Sequence, residues 1–423
     1  MKRITTSRKL LCAALTVAWC LGAQAQVQPG SNVESLLSLA RESNPDFASM
    51  RYEADAAAER ITPAGALPDP RLRTELMDIT KGGSQSASLS PSRVGSTRYT
   101  LMQDIPWFGK RDLKREIAEL EAEGAKGRAY GTWSEVATKI KTTYAQLYYL
   151  TRNESLTKEI LDLMVRLEKI AQVRYAGGLA AQQDVIRAQV EQTSMRNELI
   201  AIETEHHHLM TRMNALLGRP AAAQLAMPES LRPLPAPAKL DYASLEERAR
   251  ARNPMLSAEE HRIKAAEKSR DLAYKNRYPD LTVGVVPNQM QNEVKQWDLM
   301  FEINIPLQQS TRRAQEREAE AMVSASRSKR DATSNQLLSD LSANISELEA
   351  ARRTERLTTD SLLPQAELTL KAALAGYETG KVDFATLLDA QRQIRQAKLN
   401  QIKSRAEAQV RLAEIERILG EDL

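Results

Sequence analysis

The stretches Arg174-Tyr175-Ala176-Gly177-Gly178-Leu179 and Gly376-Tyr377-Glu378-Thr379-Gly380-Lys381 decide the fold. Each closes a long helical pattern on a Tyr, breaks at Gly, and resumes as a helix that reaches an Ala-Gln pair, Ala188-Gln189 or Ala390-Gln391. Tyr175 and Tyr377 stand 202 residues apart, and so do Gln189 and Gln391. Glycine tolerates the positive φ with which helices commonly end, so both stretches predict the tip of an antiparallel helical hairpin, with turn glycines at Gly177, Gly178 and Gly380. Two such tips at one offset mark an internal duplication.

Other pairs repeat in the same order. Asn44-Pro45 recurs as Asn253-Pro254, Pro68-Asp69-Pro70 as Tyr278-Pro279-Asp280, Ile105-Pro106 as Ile305-Pro306, and Leu216-Leu217-Gly218 as Ile418-Leu419-Gly420. The offset falls from 209 at the Asn-Pro pair to 200 at the Ile-Pro pair, which places a longer loop in the first half, near residues 80–95. The repeats are residues 26–218 and 241–423. Between them, 219–240 carries Pro220, Pro228, Pro233, Pro235 and Pro237 and reads as an extended linker.

Each half has the order helix, two strands, long helix, tip, helix. Leading helices over 33–66 and 241–277 stop before prolines. The period then becomes two: Trp297, Leu299, Phe301, Ile303 and Ile305 alternate with Asp298, Met300, Glu302 and Asn304. A second alternation runs from Arg98 to Ile105, with partner strands near 70–79 and 281–290 and loops over Lys81–Arg93 and Asn288–Gln296. Past Pro106 and Pro306 a helical pattern persists for about 70 residues, roughly 100 Å of helix. Leu156, Ile160, Leu163, Leu167 and Ile170 form a coiled-coil seam in it. Pro364 interrupts the second long helix and predicts a bend there that the first lacks. The return helices, about 180–218 and 381–420, match the long ones only when a leading helix is placed end to end with each.

Residues 1–25 read as an export signal: Lys2, Arg3, Arg8 and Lys9, an apolar run Leu10–Leu21, and Ala23-Gln24-Ala25 before the cleavage point. Its four basic residues account for the whole formal charge of +4, so the basicity implies no nucleic-acid partner. Cys12 and Cys20 also lie there, leaving the mature chain without a disulfide, thiolate ligand or cysteine nucleophile. At 27% charged and 4% aromatic, the remainder has the composition of a long-helix protein. No Gly-rich phosphate loop, Gly-x-Ser-x-Gly or His-Glu-x-x-His motif is present, and no enzyme, resident metal or cofactor is expected.

Four strands from one chain cannot close a barrel, and a small sheet with an apolar face is marginal alone. Strands of about 9–11 residues suit a tilted membrane span, where every backbone group has to be paired. Three copies would supply twelve strands, an even number within the range of outer-membrane barrels. A soluble β cap on a helical rod is the alternative.

The signal, the doubled Asn-Pro, the Ile-Pro at each strand end and the doubled Tyr–Gly–Ala-Gln tip together resemble the TolC-like outer-membrane efflux proteins, over essentially all of the mature chain. The resemblance implies a mainly α protein with a membrane β-barrel: a homotrimeric, 12-stranded barrel in the outer membrane, continuous with a long periplasmic α-helical barrel. It implies an exit duct of a tripartite RND system, partnered by a periplasmic adaptor and an inner-membrane pump. Gln103–Arg111 and the Pro364 position look like the heavy-metal (CusC/CzcC-like) branch, which makes metal cations the expected substrate. A duct for drugs or for type I secretion, or a periplasmic coiled-coil adaptor without a pore, are the alternatives.

In that family the tips converge on a closed periplasmic entrance ringed by acidic side chains. Asp389 falls at a gate-aspartate position, Asp184 at an acidic position of the first tip, and Thr386 where some relatives carry a second aspartate. Val382 replaces a gate arginine. Three carboxylates around a narrow pore would attract cations; the competing expectation is pairing of Asp184 and Asp389 with Arg187 and Arg392. The tips themselves, Tyr175, Gly177, Gly178, Leu179, Tyr377, Gly380 and Lys381, are expected to dock the adaptor. His206-His207-His208 cannot converge on one ion from a helix, because neighbours point about 100° apart.

Overall fold

The computed structural model describes residues 30–80, 87–290 and 292–423. The export signal and residues 81–86 of the first Ser/Gly-rich loop lie outside them. The first half contains α1 (Val33–Ser43), α2 (Pro45–Glu59), α3 (Ile61–Gly65), β1 (Arg71–Met77), β2 (Ser96–Ile105), α4 (Lys110–Ala176) and α5 (Gln182–Leu216). The second contains α6 (Tyr242–Arg252), α7 (Pro254–Lys275), β3 (Asp280–Met290), β4 (Glu293–Asn304), α8 (Gln309–Leu357), α9 (Leu363–Glu378) and α10 (Phe384–Leu419).

The leading helices are not continuous, as the sequence suggested, but break at Asn44 and Asn253. Both residues are extended, the conformation that a following proline favours (ψ 123° and 122°). The break brings two repeated motifs together. Asn44 Nδ2 donates to the Leu216 carbonyl (2.8 Å), and Asn253 Nδ2 donates to that of Ile418 (2.9 Å). Asn253 Oδ1 also accepts from the Met255 and Leu256 amides, capping α7. Gly218 and Gly420 end the return helices with φ of 63° and 73°. A Cβ on Gly218 would stand 2.4 Å from the Ser43 carbonyl oxygen. Each Asn-Pro thus satisfies the end of a Leu-Gly helix that the duplication had only paired in order.

The chain divides into two compact bodies. One comprises the described residues up to Asn44 with Lys139–Leu234 and Leu348–Arg411, and contains both tips. Its core joins Leu156, Ile160, Met164 and Leu167 of α4 to Met195 of α5, Tyr377 of α9, and Phe384, Leu387 and Leu388 of α10. Leu163 and Ile170 of the expected seam are only partly buried. Pairs across this body include Arg392–Glu191, Arg395–Glu198 and Lys398–Glu159 (2.8 Å). Between α8 and α9 a π turn spans Thr358–Leu362, where the Leu363 amide donates to the Thr358 carbonyl. Pro364 follows at the start of α9, while α4 runs unbroken through the matching residues.

The other body comprises Pro45–Thr138, Pro235–Glu347 and Leu412–Leu423. It holds one antiparallel sheet in the order β1-β2-β3-β4. Asn288–Gln296, expected as a loop, is mostly strand: Asn288 pairs with Gln296, and Asn292 takes φ 71° in the tight turn. Its apolar residues line up across all four strands. Leu72, Leu101, Val285 and Leu299 are direct neighbours, and each is exposed (40–73%). Ile105, Leu281 and Ile303 form a second row on the same face, and Gln103, Val283 and Phe301 a third. The opposite face carries Asp104, Thr282 and Glu302 in one row. There Arg71 grips Asp104 through both carboxylate oxygens (2.8 and 2.9 Å). Beyond the strands, Trp107 stacks on Tyr278 (5.4 Å), and the buried Lys110 reaches Asp280 (2.8 Å) and the Tyr278 carbonyl (2.9 Å).

Candidate functional site

The two tips share one turn design. In the first, the Leu179 amide donates to the Arg174 carbonyl and the Gly178 amide to that of Tyr175. In the second, Lys381 donates to Gly376 and Gly380 to Tyr377. This is the Schellman arrangement, and its left-handed residues are Gly178 (φ 70°) and Gly380 (φ 76°). Gly177 has no positive φ; it occupies the place of Thr379, one residue earlier, so its reading as a left-handed turn glycine is corrected.

Beyond the turn the tips differ. Tyr377 is buried (2% exposed) against Phe384, with ring centroids 5.3 Å apart. The Arg174 guanidinium lies 5.0 Å from the centre of the Tyr377 ring and donates to the Glu378 carbonyl (2.7 Å) and the Leu179 carbonyl (3.2 Å). Burial, and next the Asp184 carboxylate, push the Tyr377 hydroxyl above its ordinary pKa. Tyr377 therefore clasps one tip to the other, and its place among the exposed docking residues is corrected. Tyr175 and Leu179 are exposed (48% and 70%), as are Gly177, Gly178, Gly380 and Lys381.

The gate candidates, two aspartates and a threonine, differ in setting. Asp184 is half-buried and accepts from the Tyr377 hydroxyl at 3.5 Å. Asp389 is exposed (side chain 69%) and lines a groove between α5 and α10 with Ile186, Arg187, Val190 and Leu388. Its nearest cation, Arg392, stands 3.9 Å away and also pairs with Glu191. Thr386 is exposed in the first turn of α10, its amide donating to Asp383 Oδ1 (2.9 Å). Hydrogen bonds from Thr386 hold the Asp383 carboxyl below its ordinary range. The cap at Asp383 went unread in the sequence, although an Asp directly before a helical run is a capping signal.

A glutamine network was also unread. Glu168 accepts from Gln189 (2.8 Å), Gln192 (2.6 Å) and Gln172 (3.0 Å), and the first two hold its carboxyl below the ordinary range. At the opposite return-helix end, His206 Nε2 lies 3.0 Å from Met227 Sδ, while the His207 and His208 rings sit edge-on, 6.5 Å apart.

The family model for outer membrane efflux proteins matches the chain twice, over residues 36–219 and 245–421. The chain belongs to that family. It is an efflux channel of the outer membrane with a large periplasmic helical portion, the setting in which an apolar sheet face is turned to lipid. It is similar to the cobalt-zinc-cadmium resistance protein CzcC of Cupriavidus metallidurans, with 24% identity over 396 residues, 92% of this chain and 90% of that one. Its fold is that of the outer membrane protein VceC of Vibrio cholerae (TM-score 0.79, 19% identity, covering 92% and 96% of the two chains). It is likewise that of CusC, a transmembrane channel (TM-score 0.75, 18% identity, covering 92% of each). These relatives are channel and resistance proteins, not enzymes. Among the described residues no helix is long and apolar enough to cross a membrane.

Proposed function

We propose that three copies of this chain form the exit duct of a tripartite RND-type system through which heavy-metal cations leave passively for the exterior. The sheet carries the reading. Its exposed apolar rows suit lipid, its other face is polar, and β1 and β4 end it with unpaired backbone groups. Lipid offers those groups no partner, so the edges pair with further copies. Three four-stranded sheets make twelve strands. The substrate class rests on the similarity to a protein named for cobalt, zinc and cadmium resistance. A periplasmic adaptor docks on the exposed tip residues Tyr175, Gly177, Gly178, Leu179, Gly380 and Lys381, and an inner-membrane pump loads the duct.

Asp389, with Thr386 beside it on the exposed face of α10, lines the entrance; Asp184 contributes from behind, through Tyr377. A ring of three Asp389 carboxylates attracts cations and resists anions. Planar-bilayer recording tests this. The wild-type channel should be cation-selective and blocked by multivalent cations, and Asp389→Asn should weaken both while leaving the trimer intact. Unchanged selectivity in Asp389→Asn and Asp389→Ala would remove Asp389 from the entrance.

A further inference from the structure

His206 and Met227 bring two soft donor atoms together from segments 21 residues apart, on α5 and on the linker. The contact joins the imidazole nitrogen Nε2 and the thioether sulfur, the ligating atoms of the two side chains. Both residues are half-buried, within reach of solvent. Met210, also half-buried, lies one turn along α5 from His206, on the same side of the helix.

The position of Met227 is fixed from both directions. Before it, Asn214 Nδ2 donates to the Ala221 (3.1 Å) and Ala223 (2.8 Å) carbonyls, and Arg219 to that of Gln224 (3.2 Å). After it, Arg152 donates to the Glu229 carbonyl (2.8 Å) and the Tyr144 hydroxyl to that of Ser230 (3.1 Å). The linker is therefore strapped to α4 and α5 around a thioether that faces an imidazole.

We infer that His206 and Met227, completed by Met210, form a binding site for a soft monovalent cation, Cu(I) or Ag(I). Thioether sulfur selects Cu(I), whereas the hard cations Mg(II) and Ca(II) take oxygen ligands. Nitrogen and sulfur ligands stand about 2.0–2.3 Å from zinc, and Cu(I) is of similar size and Ag(I) larger, so the donors separate from 3.0 Å to roughly 4 Å or more on binding. Rotation about the unbranched Met227 side chain supplies that movement. Bound metal would tie the linker to the first return helix. The site stands on α5 and the linker alone, so it does not depend on the pore reading.

The mature chain suits the test, because both cysteines lie in the first 25 residues and no thiol competes for Cu(I). Detergent-solubilised mature protein is titrated with Cu(I) held by a chromophoric chelator. One Cu(I) per chain should leave the chelator, and X-ray absorption should find sulfur among its ligands. Met227→Leu, which conserves volume, and His206→Ala should each weaken binding at least tenfold, and His207→Ala should not. Failure of the wild type to draw Cu(I) from the chelator would overturn the site. So would full binding by Met227→Leu, since the metal would then sit on the surface histidines.

Discussion

Gln391 has no exposed surface, and among the described residues neither of its amide atoms has a hydrogen-bond partner. The duplication gives the reason. At the offset of 202, Gln391 matches Gln189, but Glu168 is matched by Leu370 and Gln192 by Ile394. The first hairpin keeps a carboxylate with its glutamines; the second keeps one glutamine in apolar company. An unsatisfied buried polar group costs about 1–3 kcal/mol, so Gln391→Leu should stabilise the protein by that order. Leu370→Glu should also stabilise, by returning the missing acceptor, where a half-buried Leu→Glu change ordinarily destabilises. Thermal melts decide: a lower melting temperature for Gln391→Leu would mean that its amide is paired. The sequence disclosed the tip residues and their turn, because Tyr, Gly and the Ala-Gln pair repeat. It did not disclose that Tyr377 is buried while Tyr175 is exposed, because that depends on Phe384 and Arg174 meeting across the two tips.

At the scale of elements, Glu168 of α4 is held by Gln172 of its own helix and by Gln189 and Gln192 of α5. Its hydrogen bonds lower the folded-state pKa from the ordinary 4.5, so their contribution is complete above that value and disappears as pH falls below it. Glu168→Gln should melt well below the wild type at pH 7, and the gap should close as the pH is taken from 5 to 3. A gap independent of pH would mean that the carboxylate charge is irrelevant to the hairpin. Helix and strand types were legible from period alone, yet several boundaries were not. The breaks at Asn44 and Asn253 are set by partners at Leu216 and Ile418, about 170 residues away. β3 and β4 extend through Asn- and Gln-rich sequence because Asn288, Gln289 and Met290 find cross-strand partners in Gln296, Val294 and Glu293, past a register shift at Asn288/Gln289. Pro364 was legible as an interruption, and the π turn before it gives the form that the missing N–H takes.

At the scale of the whole molecule, the family model matches the chain twice, over residues 36–219 and 245–421. The paired apolar rows of the sheet were visible in β4 as strict alternation and in β2 only faintly, since Gln103 and Asp104 blur the pattern there. Register restores it, setting Leu101 between Leu72 and Val285. A four-stranded sheet with one exposed apolar face and two unpaired edges is incomplete as a membrane structure. In the proposed duct, three chains complete it. The most direct measurement is the mass of the mature protein in detergent, by native mass spectrometry or light scattering corrected for bound detergent. A trimeric duct should give a single species of three times the chain mass, while a monodisperse monomer, soluble without detergent, would rule it out.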